Sequence, residues 1–261
     1  QAAVPPPSLG SSMLTSERAQ PRIAWAIHAF TMSGMLAGFL GLITALDQSP
    51  RASLLWMMVA MVIDGLDGPI ARKFEVASVL PSIDGHIMDL VIDYVTCVVT
   101  PAFFIHEFQL LPERFSLIGI SLILLSSLYL FSFTGIQTDD CYFNGFPAMW
   151  NLVVSVMFVL QSRPIVNVVV VLIFVMFTIV PLKFIHPIRV RDFRRLTIPI
   201  LVVWLLAMTY LIWILDSKTA DCSEKCLPPV AVAAQIVVYF GSIWIIGIGI
   251  WRTLRGDPAP E

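Results

Sequence analysis

Hydrophobic residues run along this chain in long unbroken blocks, and polar residues gather in short connectors between them. Eight blocks stand out, at about 24–46, 53–72, 84–105, 115–136, 147–162, 164–184, 196–215 and 228–252. A helix needs about 20 apolar residues, with a range of roughly 17–25, to cross the ~30 Å hydrocarbon core of a bilayer. Each block therefore predicts a membrane-spanning helix. The fifth is short, and its boundary with the sixth rests on the turn Ser162-Arg163-Pro164. The connectors carry breaker residues: Asp47-Gln48-Ser49-Pro50 closes the first block, and Pro81 precedes the third, where Ser82 or Asp84 can cap the helix. No internal repeat and no separate soluble domain interrupts the pattern. The expected fold class is an all-α polytopic membrane protein with about eight transmembrane helices.

Composition agrees. The chain is 57% hydrophobic and only 13% charged, with a mean hydropathy of +0.84, whereas a soluble domain carries about 25% charged residues. The net charge of −2 offers no global basic field for nucleic acid. An even number of spans puts both termini on one side. Eleven of the 16 Lys and Arg residues fall on that side, so the positive-inside rule predicts cytoplasmic termini. Residues 1–22 are expected to be a tail, of which the Pro/Ser-rich 1–12 stretch is either disordered or a remnant of expression, and 11–22 forms a short helix on the membrane surface. The transmembrane domain is expected over 23–255, with a C-terminal tail at 256–261. No secretory signal with a cleavage site is visible, and the first apolar block can itself direct insertion. Among the four cysteines, Cys97 reads as a packing residue and Cys141 as a loop residue. Cys222 and Cys226 flank a polar loop opposite the termini, where a disulfide and two free thiols are both open. Two cysteines without a nearby histidine do not suggest zinc.

Against this oily background one stretch is out of place. Residues 63–94 read IDGLDGPIARKFEVASVLPSIDGHIMDLVIDY, with Asp64, Asp67, Asp89 and Asp93 at the ends of two apolar blocks. Carboxylates there are costly and usually functional. At about 100° per residue, Asp64 and Asp67 share one helical face and Asp89 and Asp93 another. Helix caps and an ion pair with Arg72 and Lys73 would explain one such acid. Four of them, paired on two helices, offer a divalent cation a set of hard oxygen ligands. Gly68 and Ala71 leave room beside the acids, and Arg72 adds a charge suited to phosphate oxygens.

These residues carry a resemblance. The spacing D-x2-D-G-x2-A-R followed by G-x3-D-x3-D, borne by Asp64, Asp67, Gly68, Ala71, Arg72, Gly85, Asp89 and Asp93, resembles the signature of the CDP-alcohol phosphotransferases. Twelve residues, 73 to 84, separate Arg72 from Gly85, more than most of that family has. This longer spacer, with the stretches FNGFPAMWN at 143–151 and FIHPIRVR at 184–191, resembles the bacterial branch that makes phosphatidylcholine. The resemblance implies a metal-dependent enzyme that transfers a phosphatidyl group from CDP-diacylglycerol to choline and releases CMP. Its metal would be Mn2+ or Mg2+, held by Asp64, Asp67, Asp89 and Asp93, with Asp93 as the general base. Asp64, Gly68, Ala71, Arg72 and Gly85 would hold the CDP moiety. It further implies a homodimer among membrane lipids.

The remaining candidates are softer. Tyr94, Phe146 and Trp150 offer ring faces to a quaternary ammonium, which is best held by cation–π contact, and Asn144 and Asn151 offer amides to orient the alcohol. The same aromatic residues also suit an interfacial belt. His186, Arg189 and Arg191 can hold the lipid phosphate, within a basic cluster that otherwise reads as a cytoplasmic anchor. Other acceptors (serine, inositol, glycerol phosphate) stay open, although an anionic one calls for basic residues beside Asp93. A cation-coupled transporter is the alternative outside the enzymes, but the acids lie at helix ends and no second half repeats them.

Overall fold

The computed structural model describes residues 21–133, 143–180, 182–184, 194–214 and 228–255. Each apolar block contains a helix. In chain order these are α1 (Pro21–Leu46), α2 (Pro50–Lys73), the short α3 (Val76–Val79), α4 (Gly85–Asp93), a π segment (Tyr94–Val99), α5 (Thr100–Glu107), α6 (Glu113–Ser132), α7 (Trp150–Val159), α8 (Pro164–Ile179), α9 (Arg194–Ile214) and α10 (Pro229–Arg255). α4, the π segment and α5 form one continuous rod from Gly85 to Glu107, and it is one of six helices among the described residues that are long and apolar enough to cross a bilayer. The chain is a multi-pass membrane protein.

α7 and α8 are shorter, with 10 and 16 residues, or about 15 and 24 Å of rise. The fifth block was expected to be helical from 147, but the chain runs non-helically through 145–149 before α7 begins. Gly145 explains the start of this break. Its φ is +99°, and a Cβ there would lie 2.9 Å from the Thr178 carbonyl oxygen, so only glycine fits between this strand and the end of α8. The backbone N–H groups of Gly145 and Phe146 donate to the carbonyls of Leu182 and Phe177 at 2.8 and 2.9 Å. A two-residue antiparallel bridge, β1 (Phe143–Asn144) on β2 (Lys183–Phe184), extends the same contact. Non-helical backbone is tolerated in a membrane protein where it is enclosed and paired in this way.

α1 packs along α2 and the α4–α5 rod through a stripe of small and polar residues, Thr31, Gly34, Gly38 and Gly41, all buried. Small residues let helix backbones approach closely, and hydroxyls then bond across the contact. The Ser53 hydroxyl of α2 donates to the Gly41 carbonyl at 2.8 Å, and that of Thr100 to the Gly38 carbonyl at 3.3 Å. The apolar interior joins Leu54 and Met57 of α2, Val98, Phe104 and Ile105 of the rod, Ile123 of α6, Trp150 and Val154 of α7 and Met208 of α9. On the outside, Leu117, Leu125, Phe240 and Leu254 are 64–83% exposed, as a lipid-facing surface requires. α9 and α10 form a hairpin in which the Trp204 indole N–H donates to the Val238 carbonyl at 3.1 Å.

Cys141, Cys222, Cys226, His186, Arg189 and Arg191 lie outside the described residues, as do the tails at 1–20 and 256–261.

Candidate metal centre

Two helix ends meet at the acids. Pro50 starts α2, and Asp64 and Asp67 follow near its far end. Asp84 caps α4: its side chain accepts from the N–H groups of His86 and Ile87 at 2.9 and 3.1 Å. This cap sets the phase of the helix, which then carries Asp89 and Asp93 one turn apart on the side facing α2. As a result Asp64, Asp89 and Asp93 each offer an oxygen within 4.8 Å of the others. Asp93 Oδ1 is buried with no hydrogen-bond partner among the described residues. At that separation two ionised carboxylates repel by about 3–4 kcal/mol at an effective dielectric near 20. A sequence that holds three of them together at the rim of an apolar bundle calls for a compensating cation. The donor set is oxygen only, which suits Mg2+ or Mn2+ over softer metals. The residues present thus fit a divalent ion.

Asp67 does not join the trio. It is buried on the α1 side, beside the Thr31 hydroxyl, the Gly68 N–H and the Arg72 guanidinium. Arg72 folds back along its own helix, so that a Cβ on Gly68 would meet its Nη1 at 3.1 Å. The missing side chain at Gly68 is therefore what lets the guanidinium lie beside the acids. Ala71 packs with Ala24, Ile27 and Val76 in a small apolar patch. Gly85 opens α4, and its nearest neighbour is the His28 ring of α1, whose Cε1 would lie 3.5 Å from a Cβ there.

The rod changes winding directly after Asp93. Across the π segment the Thr100 N–H reaches back to the Val95 carbonyl, five residues earlier. Pro101, which follows, has no N–H to give to a regular α-helical ladder. Extra winding at that point re-aims every side chain before it relative to those after it, and π segments gather at functional sites.

The residues expected to hold the alcohol make the following contacts in the fold. Tyr94 turns to α6, where its hydroxyl donates to the Leu124 carbonyl at 3.1 Å and its ring meets Phe131 edge-on at 5.9 Å. Trp150 is fully buried, and its indole N–H donates to Ser127 Oγ at 2.9 Å, one turn along α6. Phe146 is buried against Trp150, Phe174 and Phe184 at 5.4, 4.5 and 5.8 Å between ring centres. Asn151 is also fully buried; its Oδ1 accepts from the Leu152 N–H at 2.9 Å, whereas its Nδ2 has no partner. The Asn144 backbone lies in β1, and its side chain is outside the described residues.

Sequence reasoning missed His28 and Thr31. The signal was available: two polar residues three apart, hence on one face, in an otherwise oily helix.

Comparison with known proteins agrees with this geometry. A family model described as CDP-alcohol phosphatidyltransferase matches residues 26–180, which takes in α1 through α8 and every acid of the site. The phosphatidylcholine synthase of Pseudomonas aeruginosa is 41% identical over 89% of this chain and 92% of its own length. Those of Borreliella burgdorferi and Rhizobium meliloti are 34% and 39% identical, over 87% and 69% of this chain and 93% and 75% of their own.

Proposed function

The chain belongs to the CDP-alcohol phosphatidyltransferase family, and from that premise we propose that it transfers the phosphatidyl group of CDP-diacylglycerol to choline and releases CMP. The observation that carries the reading is the trio Asp64, Asp89 and Asp93, with ligand oxygens within 4.8 Å of one another, inside the motif of the family. The names of the relatives support choline as the acceptor.

Asp64, Asp89 and Asp93 would hold a divalent ion, Mn2+ or Mg2+, with Asp67 supporting it from the α1 side. When bound, that ion neutralises the diphosphate of the donor and stabilises charge on the departing CMP. Arg72 leaves its place over Gly68 and pairs with a phosphate oxygen. Gly68, Ala71 and Gly85 leave the space in which the nucleotide lies. Asp93 accepts the choline hydroxyl proton through its unpaired oxygen. The choline oxygen then forms its bond to the phosphatidyl phosphorus, and the bond from that phosphorus to the CMP oxygen breaks. Tyr94, Asn144, Phe146, Trp150 and Asn151 supply the choline side of the site. His186, Arg189 and Arg191 supply the lipid phosphate contact. The site faces the cytoplasm, where both termini lie, in the bacterial inner membrane, and the working unit is a homodimer.

The test is an acceptor panel with purified protein in detergent. Released CMP is measured from CDP-diacylglycerol with choline, serine, inositol or glycerol 3-phosphate, with and without chelator. The reading predicts release with choline alone and none in chelator. Release with another alcohol reassigns the acceptor. Metal binding with no release from any alcohol overturns the enzyme reading.

A further inference from the structure

Nothing in the mechanism above uses His28. It is 5% exposed, and its Nε2 is buried without a hydrogen-bond partner among the described residues. Buried polar atoms are nearly always paired, so an orphan of this kind marks a place where something else is expected to bind. Three further observations locate that place. The His28 ring edge is the nearest neighbour of Gly85, with Cε1 3.5 Å from the Cβ position, so the imidazole reaches the first turn of α4 where the family motif keeps no side chain. One helical turn along α1, Thr31 lies beside Asp67, so the same face of α1 reaches the acids. Next to His28 on α1 the surroundings are apolar: Ala24 and Ile27 are buried with Val76, and Ile70, Ala71, Phe74, Val79 and Leu80 pack on them.

We propose that His28 reads the edge of the nucleotide base of the donor. The inference rests on the reading that a CDP-linked lipid occupies the site. A pyrimidine has weakly polar faces and a hydrogen-bonding rim. Apolar walls suit the faces, and one directional polar group suits the rim. A phosphate would instead call for a cation or several N–H donors, and Arg72 already provides the cation beside Asp67. In the proposed pairing the neutral imidazole carries its proton on Nε2 and donates to the base there. Cytosine and uracil exchange donor for acceptor at ring position 4 and at N3, so a single bond from a buried nitrogen separates them. This makes His28 a residue for base specificity, supplied by α1 and absent from the aspartate motif.

The test measures binding of CMP and UMP to the full-length protein in detergent with Mn2+ present. Wild type is expected to prefer CMP. His28→Phe keeps a buried ring without nitrogens, and is expected to lose about tenfold in CMP affinity, the weight of one hydrogen bond, and to abolish the preference over UMP while Mn2+ affinity holds. Two further variants carry the test if that one does not fold. Glutamine places its amide nitrogen near the Nε2 position and asparagine near Nδ1, so His28→Gln is expected to retain the preference and His28→Asn to lose it. Equal CMP affinity in all variants overturns the inference, as does an equal loss for both nucleotides, which is what a packing role produces. Wild-type protein that binds neither nucleotide overturns the donor reading itself, and the inference with it.

Discussion

Gly38 sits where α1 crosses the π segment, and its replacement by alanine tests whether that crossing sets the site. A Cβ at Gly38 would lie 2.8 Å from Thr96 Cγ2 and 3.6 Å from Thr96 Cα. Carbon atoms pack best at about 3.5–4.0 Å, so the two groups must part by about 0.7 Å. Thr96 is 3% exposed, and its β-branched side chain has few helical rotamers. The strain therefore falls on the backbone of the π segment, three residues after Asp93. Overpacking of this size costs about 1–3 kcal/mol. Alanine also gains about 1 kcal/mol of helix propensity over glycine, which would mask part of the loss. Gly247→Ala removes the ambiguity, because a Cβ at Gly247 meets nothing within 4 Å, so it gains the propensity without the clash. The expected difference is that Gly38→Ala melts about 2–12 °C below Gly247→Ala, taking about 2–4 °C per kcal/mol for a chain of this size. Turnover should fall in Gly38→Ala by about tenfold or more, since a 1 Å misplacement can cost about 10²-fold, and stay at the wild-type level in Gly247→Ala. Thermal denaturation in detergent and CMP release are the two readouts. Equal melting temperatures and equal turnover in the two variants would refute the claim that the α1 crossing positions Asp93.

Three other outcomes follow from the same geometry. Asp93→Asn is expected to lower turnover by about 10²–10⁴-fold, the usual weight of a general base, while donor binding measured by equilibrium titration at saturating Mn2+ persists. Arg72→Lys keeps the charge but loses the planar fork, so the KM for CDP-diacylglycerol should rise while that for choline stays put. Trp150→Phe removes the indole N–H that bonds Ser127 and leaves a buried hydroxyl without its donor, at about 1–3 kcal/mol of stability. If the ring also lines the choline side, the choline KM rises more than the donor KM, and parallel changes in both place Trp150 in the packing alone.

The spans were legible because a bilayer imposes length. Blocks of apolar residues near 20 long leave little choice but helices, and every expected block holds one. The pairing of Asp89 with Asp93 was legible because i, i+4 spacing puts both on one face, and the Asp84 cap then sets the phase of α4; the sequence pointed to four acids, of which three come within 4.8 Å of one another. What the sequence concealed depends on tertiary contact. Asp67 and Asp64 share a face by spacing, yet Thr31 and Arg72 draw Asp67 to the α1 side. The break before α7 turns on the approach of Gly145 to the Thr178 carbonyl, a contact 33 residues away in the chain that no local pattern announces. Pro101 hints at irregular winding, but an α-kink and a π segment are equally consistent with it until the neighbours are known. The aromatic residues at 146 and 150 carry a chemical suggestion in the sequence, but their contacts with each other, with Phe174 and with Ser127 depend on how α6, α7 and α8 pack.

The central claim is that Asp64, Asp89 and Asp93 together hold a divalent ion. Mn2+ binding to the metal-stripped protein, followed by electron paramagnetic resonance, tests it most directly. The account predicts one tight site in wild type, weakened about tenfold or more by asparagine at any of the three positions, as loss of a charged ligand requires, and left intact in Gly247→Ala. Mn2+ affinity that is unchanged in all three asparagine variants would contradict it.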